Sequence, residues 1–178
     1  MKIEVGLPLF VTAENARLDG IRVIFSGQGS DELFGGYSRY LRILEQYGYN
    51  GLQDRLWRDI IEISEVNLQR DDAVTMANGI ELKVPFLDVD VIHMAMTIHP
   101  ALKIQDKTDK LRKRVLRKTA EMLEVPSEAV ERPKKAVQYG SGINKAIKRL
   151  AIKNGYKHLE AYLKAVFDQV FANTHAKP

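Results

Sequence analysis

Val23-Ile24-Phe25-Ser26-Gly27-Gln28-Gly29-Ser30-Asp31-Glu32-Leu33-Phe34-Gly35-Gly36-Tyr37 is the stretch on which the reading of this chain turns. A β-branched and aromatic run, Ile21 to Phe25, stops at Ser26 and Gly27, and a helix start follows near Ser30. The near-continuous apolar character of the run predicts a strand buried in a parallel sheet. In open parallel sheets, ligands gather beyond the carboxyl ends of the strands. Free N–H groups at a helix start attract phosphate. Gly27 and Gly29 lack the side chains that would hold a nucleotide away from the backbone. Asp31 offers the kind of carboxylate that Mg2+ takes together with substrate phosphate oxygens. The same residues also fit a plain tight turn with a Ser or Asp cap. The stretch is neither a Walker A loop nor a dinucleotide fingerprint, and the residues alone leave both readings open.

Outward from this bend the pattern is mainly helical. A helix is predicted from Leu9 to Leu18, after Pro8 and before Gly20. Tyr37 to Tyr47 reads as a second, stopped by Gly48, and Leu52, Leu56, Ile60 and Ile63 form an apolar stripe at helical spacing. Asp71 and Asp72 suit the positive end of a helix that stops at Asn78-Gly79. Asp88 caps a helix carrying Val91, Ile92, Ala95 and Met96. Leu111, Val115, Met122 and Leu123 line a further helix whose outer face, Lys110 to Lys118, reads as a solvated basic surface. Ile143 to Ala151 and Tyr156 to Val170 complete the set, with a loop or plain turn at Tyr139 to Gly142. One strand cannot satisfy its own backbone groups, so partners are expected from weakly signalled strands, a second chain or an upstream segment.

The bulk composition narrows the function classes. With 178 residues, 45% of them apolar, the chain is the size of one domain with a real core, and residues 1–178 are read as a single domain. No apolar run is long enough to span a bilayer, and residues 1–4 have no signal-peptide layout. There is no cysteine, which excludes disulfides and thiolate metal sites. A soluble cytoplasmic protein is expected. The surplus of 27 basic over 23 acidic residues is mild and reads first as a mixed-charge soluble surface; it also suits an anionic partner such as a nucleotide, and RNA binding rests only on this charge and the Lys110 to Lys118 face. His93 and His99 do not have the spacing of a helical metal pair.

Three blocks in order carry a resemblance. Ser26 to Tyr37 resembles the S-G-E-G-S-D-E-x-F-G-G-Y signature of the synthetase domain of asparagine synthetases. Arg70 to Asp88 is similar to that family's R-x-x-x-x-x-M-A-x-G-x-E-x-R-x-P-F-L-D. Lys110-Leu111 through Leu116, with Arg132-Pro133-Lys134-Lys135 after it, is similar to the K-x-x-L-R segment and the R-x-K element that follows it. The fold implied is α/β: a predominantly α-helical, C-terminal portion of a PP-loop ATP pyrophosphatase domain, with at least one parallel strand. The chemistry implied is attack of a substrate carboxylate, such as that of aspartate, on the α-phosphate of Mg-ATP. Ammonia from a glutaminase domain then displaces AMP to form an amide. Carried over residue by residue, Ser26, Gly27 and Gly29 border the ATP, Asp31 holds Mg2+, Gln28 stands at the reacting centre, and Lys134 neutralises phosphate charge in the transition state.

Three departures go with the resemblance. The family's pyrophosphate loop, S-G-G-x-D-S, is not among these residues, and neither is a glutaminase domain with its N-terminal cysteine. Gln28 stands where asparagine synthetases have Glu, and an amide does not accept a proton usefully at neutral pH. The expectation is an amide-forming site completed by an upstream segment or a partner chain carrying the PP-loop or glutaminase part. The alternative is a non-catalytic binding or scaffold subunit derived from that domain. Exposed apolar surface is expected to drive self-association through Leu9 to Leu18 or the last helix.

Overall fold

β1 (Val23–Phe25) finds its partner in β2 (Glu81–Lys83), and the two run parallel, with Val23 opposite Glu81, Ile24 opposite Leu82 and Phe25 opposite Lys83. These coordinates come from a computed structural model, which describes residues 3–134 and 137–175. The weakly signalled strand is thus Glu-Leu-Lys, which has no β-branched residue and follows Gly79. Backbone bonds hold it in place at both ends: Glu81 N donates to Arg22 O at 2.9 Å, and Ser26 N donates to Lys83 O at 2.8 Å. A small parallel sheet among helices is the expected α/β class.

One expectation for β1 fails. The strand is not buried on both faces: Val23 is 40% and Phe25 76% exposed. Only Ile24 turns inward, against the buried Ala13, Ala16 and Ile80. Alternate side chains point to opposite faces of a strand, and one face of this pair is covered.

Leu9 to Lys134 form one compact unit; the described residues among 1–8 and 135–178 form another. α1 (Ile3–Leu18) starts earlier than predicted, with Pro8 inside it. Proline removes one donor from the ladder, but the turns on either side remain helical. After β1 come α2 (Ser30–Phe34) and α3 (Arg39–Ile61). Inside α3, Gly48 has φ 66° and ψ −168°, so the run is two helices broken where the sequence placed the stop. Their apolar faces make the larger core: Tyr40, Leu44, Leu52 and Leu56 with Ile104. Asp59 ties this part together, accepting from Tyr40 Oη at 2.5 Å and pairing with Arg39 and Arg55. A π-helical turn, Ser64–Leu68, leads into α4 (Gln69–Met76), ahead of the predicted start at Asp71.

α5 (Val89–Thr97) is capped as expected, Asp88 Oδ1 accepting from Asp90 N at 2.9 Å. It packs Ala95 on Leu33, Phe34 and Ile60, with Phe86 and Leu87 at the edge of that cluster. α6 (Arg114–Met122) begins later than the periodicity predicts. Asp109 Oδ1 accepts from both Leu111 N and Arg112 N, and Arg112 and Lys113 take left-handed φ values of 54° and 51°. The chain therefore turns where the sequence pattern would continue a helix. A short α7 (Ser127–Val130) follows. In the other unit, Tyr139 and Gly140 lie in a helical turn, α8 (Val137–Gly140), and not in a loop. α9 (Ile143–Lys153) buries Ile147 and Ala151, and α10 (Leu159–His175) follows. No helix among the described residues is long and apolar enough to cross a membrane.

Lys103 is an anomaly among the buried side chains. Its side chain is fully buried, and Nζ has no hydrogen-bond partner among the described residues. Burial lowers its pKa from 10.5 to about 8. The unfolded chain therefore holds more protons between those two values, and stability rises with pH across that window. Lys103→Met is expected to stabilise the fold at pH 7 by on the order of 1–3 kcal/mol. Urea unfolding at pH 7 and pH 10 checks this: the gain shrinks at the higher pH, and an equal or absent gain at both contradicts it.

Candidate functional site

The bend after β1 is built by short local bonds. Ser26 Oγ accepts from Gln28 N at 3.3 Å, and Ser30 Oγ donates to Gly27 O at 2.7 Å. Gly29 has φ 88° at the start of α2, and a Cβ there would overlap the Leu87 side chain. Only glycine meets both conditions. α2 has five residues. So short a helix is a weak source of the positive end that the sequence suggested, and the positive charge of this site comes from elsewhere.

It comes from two lysines that converge on Asp31. Lys113 Nζ lies 2.7 Å from Asp31 Oδ1 and donates to Ser30 Oγ at 2.9 Å. Lys134 Nζ donates to Asp31 Oδ2. Asp31 and Lys113 are largely shielded, and Lys134 keeps 28% of its side chain exposed. Gly36 makes this possible, because a Cβ there would overlap both Asp31 Oδ1 and Lys113 Cε. Burial works to raise the Asp31 pKa, but the ammonium of Lys113 and then that of Lys134 outweigh it and hold the carboxyl below its usual range. Burial pushes Lys113 downward in turn, against the pull of Asp31. Two ammonium groups meet on one carboxylate, and the Glu32 carboxyl, which accepts from Tyr37 Oη, also acts on Lys113. A multiply charged anion would take charge-assisted hydrogen bonds from the two lysines.

Gln28 faces another way. Its Nε2 donates to Asp71 Oδ2, while Asp71 Oδ1 pairs with Arg70 Nη2 at 2.7 Å. Asp71 is 1% exposed. The reading of Asp71 as a plain helix-start charge therefore needs correction: it is a buried partner of a residue in the bend. Ser26, Gly27, Gln28, Gly29 and Asp31 lie on one turn, and Lys134 reaches Asp31. The contacts of Gln28 lie with Asp71 and not with the lysine cluster.

Lys113 is not among the site residues the sequence suggests. It opens a Lys113-x-x-Leu116-Arg117 spacing, which a helical period running on from Lys110 conceals. The basic face is likewise not simply solvated, since Lys113, Arg112 and Arg117 all bond inward. Lys135 lies outside the described residues.

The geometry fits a phosphate ligand. A Cβ on Gly27 would meet only Ser30 Oγ, at 3.9 Å, so its backbone lies open to an approaching group. The fit to Mg2+ depends on that ligand. No group of three or more acidic or histidine side chains that could hold a metal stands among the described residues. Asp31 is one carboxylate with a lysine on each oxygen. Mg2+ readily takes one or two carboxylates and completes its shell with phosphate oxygens and water.

Comparison with known proteins gives the relationship. The family described as asparagine synthase matches residues 1–50 and 45–176. A protein of Methanocaldococcus jannaschii, whose name places it among glutamine-hydrolysing asparagine synthetases, is 40% identical over 88% of this chain and 34% of its own length. Asparagine synthetase domain-containing protein 1 of Mus musculus is 34% identical over 79% of this chain and 23% of its own. The glutamine-hydrolysing asparagine synthetase of Triphysaria versicolor is 30% identical over 70% of this chain and 21% of its own. The chain spans about a third or less of the length of these relatives. The match runs through both the glycine bend and the segment that delivers the two lysines, and with it the resemblance becomes a relationship: this chain belongs to the asparagine synthase family.

Proposed function

We propose that this chain supplies the glycine-bend side of an ATP-dependent, amide-forming site, in which a small carboxylate such as aspartate is adenylated and ammonia then displaces AMP. The observation that carries this reading is Asp31 held between Lys113 and Lys134, beside the open backbone of Gly27 at the carboxyl end of β1. Lys134 and Lys113 bind phosphate oxygens and neutralise charge that builds on them as the phosphoanhydride breaks. Asp31 keeps the two ammonium groups in place and stays ionised to share Mg2+ with the phosphates. Ser26 and the backbone of Gly27 and Gly29 border the nucleotide. Mg2+ supplies charge neutralisation on the pyrophosphate side when bound. Gln28, with its amide nitrogen on Asp71, keeps its oxygen as an acceptor for N–H groups; it does not serve as a proton-accepting base.

The S-G-G-x-D-S loop is not within the 178 residues. Its part in gripping pyrophosphate belongs to another segment or to a partner chain carrying that loop. The two-stranded sheet, with Val23 and Phe25 exposed, supports that division, since a parallel pair this small is normally part of a larger sheet. Combining the chain with a polypeptide that carries the loop is expected to give ATP–pyrophosphate exchange that depends on the carboxylate substrate. A folded complex that never exchanges with any small carboxylate contradicts the reading.

A further inference from the structure

Arg117 lies on α6, outside the bend and away from Asp31, yet its guanidinium reaches both stretches of chain that deliver the lysines. Nε donates to Arg112 O at 2.9 Å, and Nη2 donates to Leu111 O at 3.0 Å, immediately before Lys113. Nη2 also donates to Arg132 O at 3.0 Å, and Nη1 donates to Val130 O, two and four residues before Lys134. All four acceptors are main-chain carbonyls. A planar fork of five donors suits this task, whereas the compact ammonium of lysine does not.

The segment held on the Lys113 side is strained. Arg112 and Lys113 both take positive φ, a conformation non-glycine residues adopt only when their surroundings fix it. Asp109 accepts from the N–H groups of Leu111 and Arg112, and Arg112 Nε donates to Gly36 O at 2.8 Å. Arg117 adds bonds to the two carbonyls just before Lys113, and its own N–H donates to Lys113 O at 2.9 Å. On the other side, Pro133 stiffens the short step from Arg132 to Lys134. The two lysines are 21 residues apart in sequence (134 minus 113), and one side chain sets the carbonyls ahead of both.

We infer that Arg117 is the positioning residue that sets Lys113 and Lys134 together on Asp31. It touches neither Asp31 nor, in this reading, the nucleotide; it acts through the two lysines. Its relevance to catalysis rests on the proposed nucleotide site, but the coupling of the two lysines does not.

The test is pulse acetylation of lysine amines with an N-hydroxysuccinimide ester, read by peptide mass spectrometry, on the full chain and on Arg117→Lys and Arg117→Gln. Losing one or two net hydrogen bonds allows labelling of Lys113 and Lys134 to rise together by about tenfold, with Arg117→Lys in between. Lys107, which pairs with Glu45 elsewhere, is expected to label as before. Mg-ATP titrated into the same samples is expected to bind the variants more weakly by a similar factor. Unchanged labelling in a folded variant overturns the inference, as does release of one lysine without the other. Global unfolding of both variants also overturns it, because the effect is confined to the two lysine-bearing segments. A chain that binds no Mg-ATP at all, yet frees both lysines on Arg117→Gln, keeps the coupling and removes the nucleotide reading.

Discussion

Exchanging Lys134 for methionine is expected to lower ATP–pyrophosphate exchange in the completed site by on the order of 100-fold to 1,000-fold, the range seen when one preorganised charge-stabilising group is removed. Methionine keeps most of the lysine stem, so packing beside Tyr37 changes little. The ammonium is what disappears, and with it a charge fixed on Asp31. Stability is expected to change by less than about 1 kcal/mol, because the Lys134 side chain is partly exposed and Asp31 keeps Lys113. Exchange rates and thermal unfolding of the same preparation separate the two effects. Exchange within a few-fold of the unsubstituted protein, at equal stability, would place Lys134 outside the chemistry.

Asp71→Ala is expected to have the largest effect on folding, a loss of about 3–5 kcal/mol, the usual result of removing one partner of a buried ion pair. Arg70 is itself buried, and its charge would be left without the carboxylate 2.7 Å away. Gln28 would lose the acceptor that fixes its amide. Gln28→Glu probes the same contact from the other side. It would set two carboxylates against each other, so one must take up a proton and its pKa rises in the folded state. A carboxyl with a raised folded pKa stabilises below its unfolded value and loses that contribution as pH rises through the folded one. Gln28→Glu is therefore expected to be nearly as stable as the parent near pH 4 and clearly weaker at pH 8. Urea unfolding at the two pH values measures it. An Asp71→Ala protein within about 1 kcal/mol of the parent would show that the pair is not structural.

The residues that announced themselves in sequence are those whose roles are local. Ser26 to Asp31 forms a bend because its glycines and its hydroxyl and carboxyl side chains act on their own neighbours. Gly48, Gly79 and Asp88 mark stops and caps for the same reason. β2 could not be read this way. Glu81-Leu82-Lys83 has no strand pattern, and it is extended because β1 lies beside it. Lys113 and Arg117 were hidden because a helical apolar period runs on through Leu111. The turn there is made by Asp109, whose side chain takes backbone donors that a helix would use otherwise. The Gln28 to Asp71 contact spans 43 positions and leaves no periodic trace. Only the family resemblance singles out Lys134, since nothing local distinguishes it from a solvated lysine.

The central claim is that the turn between Phe25 and Asp31, with Lys113 and Lys134, holds the phosphates of Mg-ATP. Calorimetric titration of Mg-ATP into the chain, beside the Lys113→Met/Lys134→Met double variant, tests it most directly. The account predicts measurable binding by the parent and its loss in a double variant that remains folded; equal affinity in the two would contradict it.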